Sequence, residues 1–192
     1  MEFGEIAMPL RSMLFGTLLA LLAGALQPVC AAEKPPQRET INAFTVWVAA
    51  GSIRETTADH ARFEGTLGGH LYVETDQGPV HAGIVSCPVT LDINVVNKSQ
   101  QGTGTCSITA DDGAQISAQL KCVGFFLIGC AGEFKLTGGT GRFEGIAGSG
   151  PVTVRSSTRI FVETVKGTLD AKADGIMFWR QLRYTLPRKT KP

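Results

Sequence analysis

The sequence predicts an all-β domain, a small antiparallel closed β-barrel crosslinked by disulfides. Three observations carry this reading. Apolar and polar residues alternate with a period of two over several long runs, turn-forming residues separate those runs, and four cysteines fall in the apolar phase. Period-two alternation places one face of a strand on a core and the other in water. Closure into a barrel is favoured because it removes strand edges that would otherwise pair with other molecules. With 23 glycines, 7% aromatic residues and no convincing helical period, the chain has little to build helices from.

The beginning of the chain reads differently. Arg11 precedes MLFGTLLALLAGAL (Met13–Leu26), an uncharged apolar run, and Cys30-Ala31-Ala32 supplies small residues after it. These are the three parts of a secretory signal peptide, and the run is shorter than the roughly 20 apolar residues of a membrane span. Residues 1–32 are therefore expected to be removed, giving a secreted or periplasmic protein with no stable membrane span. Residues 33–43 (EKPPQRETINA) are polar around a proline pair and read as a linker. The barrel is expected over 44–187 and a basic tail over 188–192. That is one domain's worth of chain. The formal net charge is +1, and loss of Arg11, Glu2 and Glu5 raises it by only one. Nucleic acid is thus not an expected partner.

Within the barrel, VSCPVTLDINV (Val85–Val95) is apolar at every odd position. Cys106, Ile108 and Ala110 alternate with Thr105, Ser107 and Thr109. Ile116, Ala118, Leu120 and Cys122 continue the pattern against Gln115, Ser117, Gln119 and Lys121, and Cys130, Gly132, Phe134 and Leu136 against Ala131, Glu133 and Lys135. Turns are expected at Asp76–Pro79, Ser99–Gly102, Asp111–Gly113, Gly138–Gly141 and Ala173–Gly175. Trp47, Phe178 and Trp179 read as core or barrel-mouth packing.

Cys87, Cys106, Cys122 and Cys130 remain after export, an even number that allows two disulfides in three connectivities. None of them forms the tight C-x-x-C pair of a zinc site, and no metal or cofactor is read from the sequence. Cys122 and Cys130 flank a short glycine-bounded loop, both in the inward phase, so they are expected to pair. Cys87–Cys106 follows by elimination.

One tetrapeptide occurs twice, RFEG at Arg62–Gly65 and again at Arg142–Gly145. Each copy is expected to turn a barrel corner: Phe63 or Phe143 plugs an apolar space while Gly65 or Gly145 permits the bend. Gly138, Gly139 and Gly141 are expected to be structural turn residues beside the second copy. They do not form a dinucleotide loop, because Glu144 occupies the place of the last glycine of G-x-G-x-x-G.

The stretch LTGGTGRFEGIAGSG (Leu136–Gly150) resembles the T-G-G-T-G-x-F-x-x-A-x-G segment of allene oxide cyclases and dirigent proteins. The Cys87-Pro88 start, the G-x-G-x-C ending at Cys106, the C-x-G at Cys122 and the G-C-x-G around Cys130 resemble exported bacterial proteins of unknown function with an allene-oxide-cyclase-like barrel. The resemblance implies a barrel of roughly eight strands. No catalytic residue of those families matches a position here, and the cysteines are foreign to the plant cyclases.

Chemistry, if present, is expected near His70, Tyr72, Glu74 and His81. The first three share one strand face about 6.8 Å apart. A four-residue loop at Asp76–Pro79 would set Glu74 opposite His81, with His81 in the inward series of Val85 and Cys87. A histidine beside a carboxylate at a cavity mouth could act as an acid–base pair. The same alternation also fits Leu71 and Val73 inward with the polar residues in water. Three functions stay open: binding of a small apolar or amphipathic ligand or a surface partner, without catalysis; a cyclase or isomerase, as the resemblance implies; and a structural envelope protein. An apolar cavity free of buried titratable groups would favour the first, and a buried His or Glu inside it the second.

Overall fold

Strand β1 (Gln37–Thr57) pairs with β2 (His60–Thr75) on one side and with β8 (Thr168–Leu186) on the other, and the second pairing closes the sheet. Between them run β3 (Gly78–Asn94), β4 (Ser99–Thr109), β5 (Gln115–Phe125), β6 (Gly129–Gly139) and β7 (Ala147–Val165), each antiparallel to its neighbours. One turn of 3₁₀ helix, Gly141–Phe143, joins β6 to β7. This computed structural model describes residues 35–187, so the expected signal peptide and basic tail lie outside the described residues. The all-β closed barrel of eight strands is the predicted one.

Period two becomes packing directly. The inward series of β3 and β4 puts Val85, Cys87, Ile93, Cys106 and Ile108 in the core. Both disulfides form as expected: Cys87–Cys106 with Cα atoms 4.1 Å apart and Cys122–Cys130 at 5.5 Å. Each ties one strand to its neighbour, β3 to β4 and β5 to β6.

Several boundaries differ from expectation for identifiable reasons. Residues Gln37–Ala43, expected as linker, are the first third of β1, because pairing with β8 (Gln37 opposite Leu186) outweighs their polar composition. Ser99–Gly102 opens β4, and the turn lies just before it, at Val95–Lys98. Ala173–Gly175 is mid-strand in β8. Gly175 is buried there, and the Arg155 carbonyl and then the Trp47 ring occupy the space a Cβ would need, so this glycine serves packing and not a hairpin.

The strands alternate between two barrel ends. The near end carries the start of β1, the end of β8 and the connections β2–β3, β4–β5 and β6–β7. The far end carries the other four connections. The two RFEG copies close opposite ends. At the far end Phe63 lies inside β2 and clusters with Ile53, Ala61, Ile93 and Ala171. Its neighbour Arg62 points outward to Asp92 at 2.8 Å. Gly65 is extended, fitting under the Phe63 ring opposite Gly51, so this copy turns no corner. The second copy does: Gly145, at φ +75°, leads the chain out of the 3₁₀ turn into β7 while Phe143 packs on the near-end core. Gly138 and Gly139 end β6 and Gly141 opens the turn.

Candidate functional site

Of the four predicted polar residues, His70, Tyr72 and His81 come together, on the outer wall at the near end. The β2–β3 turn uses only Asp76 and Gln77. Thr75 faces Gly78 and donates its hydroxyl to the Gly78 carbonyl at 2.6 Å. Glu74 therefore faces Pro79, and Tyr72 faces His81. A bulge follows: Ala82 is an extra residue, and Gly83 continues β3 at φ +144°, where a Cβ would collide with the Thr109 carbonyl. The bulge restores Val85 to the core while leaving His81 on the outer face. The expectation that His81 and Glu74 line a cavity mouth is thus corrected. Leu71 and Val73 point inward, and Glu74 is exposed without joining His81.

His70 and His81 are nonetheless in contact. His70 Nδ1 lies 3.1 Å from His81 Nε2, and the Tyr72 ring meets His81 edge-on at 5.7 Å between centroids. Asp111, on the β4–β5 turn, brings its carboxylate to 3.4 Å from His81 Nδ1. Thr45 Oγ1 donates to the His70 carbonyl at 2.6 Å, holding this part of β2 from inside the wall.

The barrel interior offers a different kind of site. A cavity of about 110 Å³ opens toward the far end, bounded by Trp47, Leu67, Leu120, Phe161 and the Cys122–Cys130 disulfide. Its wall is apolar except for a few groups, among them Gln100, which is buried, Ser156 and Arg159. Trp47 Nε1 and Arg159 Nε are buried without a hydrogen-bond partner. An unmet buried donor costs about 1–3 kcal/mol, more where it belongs to a charged group. Around this end the exposed residues Val96, Phe125, Leu127, Ile128, Ile160 and Phe161 form an apolar collar. A wider cleft of about 350 Å³ beside it is lined by Ile53, Phe126 and Leu169, with the exposed carboxylates Glu55 and Glu163 at its edge.

At the near end a second cavity of about 130 Å³ is enclosed by Leu71, Phe134, Phe143, Ile146, Trp179 and Tyr184. Trp179 Nε1 lacks a partner here too. Burial, and secondly the Glu39 carboxylate, push the Tyr184 phenol above its usual value. Among the described residues, no histidine or carboxylate lines this cavity or the 110 Å³ one.

Sequence reasoning took Trp47 as packing and passed over Gln100, Arg159 and Asp111. Gln100 fell within an expected turn. Arg159 follows a register shift between Ser156 and Arg159 in β7, which breaks the alternation that would have marked it as inward. Phe178, expected in the core or mouth, sits on the outer wall opposite Phe44, and only Trp47 and Trp179 are buried.

No protein-family model matches the chain, and no curated protein matches it. Among solved structures it is similar to two pterocarpan synthase dirigent proteins. Both are 11% identical, with TM-scores of 0.30 and 0.28, covering 84% and 77% of this chain and 99% and 97% of theirs. It is also similar to a pyocyanin demethylase, at 15% identity and a TM-score of 0.38 over 71% of this chain and 98% of that one. At such identities and scores no ligand, activity or residue role passes from those proteins to this one.

Proposed function

We propose that the protein is an exported binder of a small, mainly apolar molecule carrying one hydrogen-bond-accepting or anionic group, held in the far-end cavity. The observation that carries this is Arg159: its Nη2 donates to the Ser156 carbonyl at 3.4 Å, but its Nε is buried without a partner at a mainly apolar cavity. Such a group is costly to keep unless something fills its need. Trp47 lines the same cavity and its Nε1 is also buried without a partner, and the apolar collar gives a ligand a path in. At about 110 Å³ the cavity is smaller than the roughly 150 Å³ one that takes up benzene, but it opens toward the collar. It therefore suits at most a single ring or a short chain, with the remainder lying along the collar. Export is supported by two disulfides, which persist in oxidising compartments, and by the leader-like residues 1–32. The cyclase reading draws no comparable support, because His70, Tyr72, Glu74 and His81 stand on the outer wall. A purely structural role accounts for the Arg159 Nη2 bond to the Ser156 carbonyl but not for its buried, unpartnered Nε.

The indole N–H signals of Trp47 and Trp179 report on the two cavities separately. Titration with benzoate should shift the Trp47 signal and leave Trp179 in place, and Ala49→Phe, which fills the far cavity, should abolish the shift. Arg159→Met should weaken benzoate but not benzene. A shift at Trp179 alone, or none at either indole, overturns the far-end assignment.

A further inference from the structure

We propose that His70 and His81 form a two-imidazole chelate for a first-row divalent transition cation such as Zn²⁺, Ni²⁺ or Cu²⁺. This site is independent of the interior cavity and lies on the opposite side of the barrel wall. Two nitrogens bound to one zinc at about 2.0–2.1 Å stand about 3.3 Å apart at the tetrahedral angle and about 2.9 Å apart at a right angle. His70 Nδ1 and His81 Nε2 are 3.1 Å apart, inside that range. A histidine ring turns readily about its last torsion, so each lone pair can be directed at a shared ion instead of at the other nitrogen.

The remaining nitrogen of His81 supports the assignment. The Asp111 carboxylate lies 3.4 Å from Nδ1, and its charge favours the tautomer with the proton on that nitrogen and the Nε2 lone pair facing His70. A carboxylate behind a ligating imidazole orients it and raises its basicity. Imidazole donors suit zinc, nickel and copper and not magnesium or calcium. Among the described residues no third His, Cys, Asp or Glu converges on the pair, so water fills the other positions and the ion stays open to a further ligand.

The arrangement is built into the backbone. The Ala82 bulge brings His81 diagonally across from His70, and the Gly83 conformation sustains the bulge. Without the extra residue, a regular ladder could not hold both Val85 inward and His81 outward with Tyr72 opposite it.

Calorimetric titration of the tag-free protein with zinc chloride at pH 7.5 tests the site. One equivalent should bind to the wild type, none at that site to His70→Gln or His81→Gln, and about tenfold more weakly to Asp111→Asn, the low end of the loss expected for a supporting carboxylate. His60→Gln, at the far end, should bind as the wild type does. All these side chains lie on the outer surface, and circular dichroism of each variant verifies its fold. No zinc heat in the wild type, unchanged binding in either histidine variant, or equal binding of calcium overturns the proposal.

Discussion

The near and far ends of the barrel are built from the same alternating strands and finished in opposite ways. At the near end a 3₁₀ turn folds Phe143 and Ile146 over the core, and Phe134 packs edge-on against Trp179 with ring centroids 5.1 Å apart. At the far end short hairpins leave an apolar collar in solvent and buried donors without partners. Filling a space with side chains gives stability, whereas leaving polar needs unmet in an apolar space gives a reason to bind. Both ends keep an apolar cavity and one buried indole N–H without a partner, Trp179 at the near end and Trp47 at the far end. The far end adds Arg159 Nε and the exposed collar, and that addition makes it the better candidate for function.

The largest effect that would break this contrast is on packing. Phe134 is wholly buried, so Phe134→Ala should cost about 3–5 kcal/mol. Phe161, 41% exposed on the collar, should cost under about 1 kcal/mol when truncated, yet weaken benzoate uptake. Urea unfolding curves and the Trp47 indole titration measure the two separately. Equal losses of stability would mean that the far end is as tightly packed as the near one.

A smaller effect concerns the disulfide that borders the far cavity. Replacing Cys122 and Cys130 together by alanine should lower stability by about 2–4 kcal/mol and loosen the β5–β6 hairpin that carries Leu127. Hydrogen exchange should quicken there first, with Phe134 and its near-end neighbours less affected. Uniform acceleration across both ends would show that the barrel opens as one unit and that the two ends are not separable in stability.

The wall of the barrel was legible in the sequence and its finishing was not. Alternation in Val85–Val95 and Cys106–Ala110 marks inward residues because every second side chain must be apolar. The disulfide pairing followed from the same phase. Bulges defeat that reasoning, since one extra residue flips everything beyond it: Ala82 moved His81 out of the core series, and the shift before Arg159 hid a charged side chain on the cavity wall. Gly175 misled in another way. An Asp-Gly pair normally turns a hairpin, but here the glycine makes room for Trp47, a contact between residues too far apart in sequence for any local pattern to show.

The smallest expected effect separates the ends by pH. Tyr184 borders the near cavity, and burial there disfavours its charged form, with the Glu39 carboxylate adding repulsion. Its folded pKa therefore lies above that of the unfolded chain, about 10. Below about pH 10 both states hold the proton and the phenol leaves stability independent of pH. Between the unfolded and the folded pKa the unfolded chain has released its proton while the folded one has not, so stability falls as pH rises through that window. Tyr184→Phe should flatten the fall, and Glu39→Gln should reduce it by less, because repulsion is the secondary cause. The phenol remains partly open to solvent, so the slope should be shallow. Unfolding midpoints measured from pH 9 to 11 test it. A wild-type slope that survives Tyr184→Phe unchanged would assign the alkaline loss to groups elsewhere and remove Tyr184 as the near end's titrating residue.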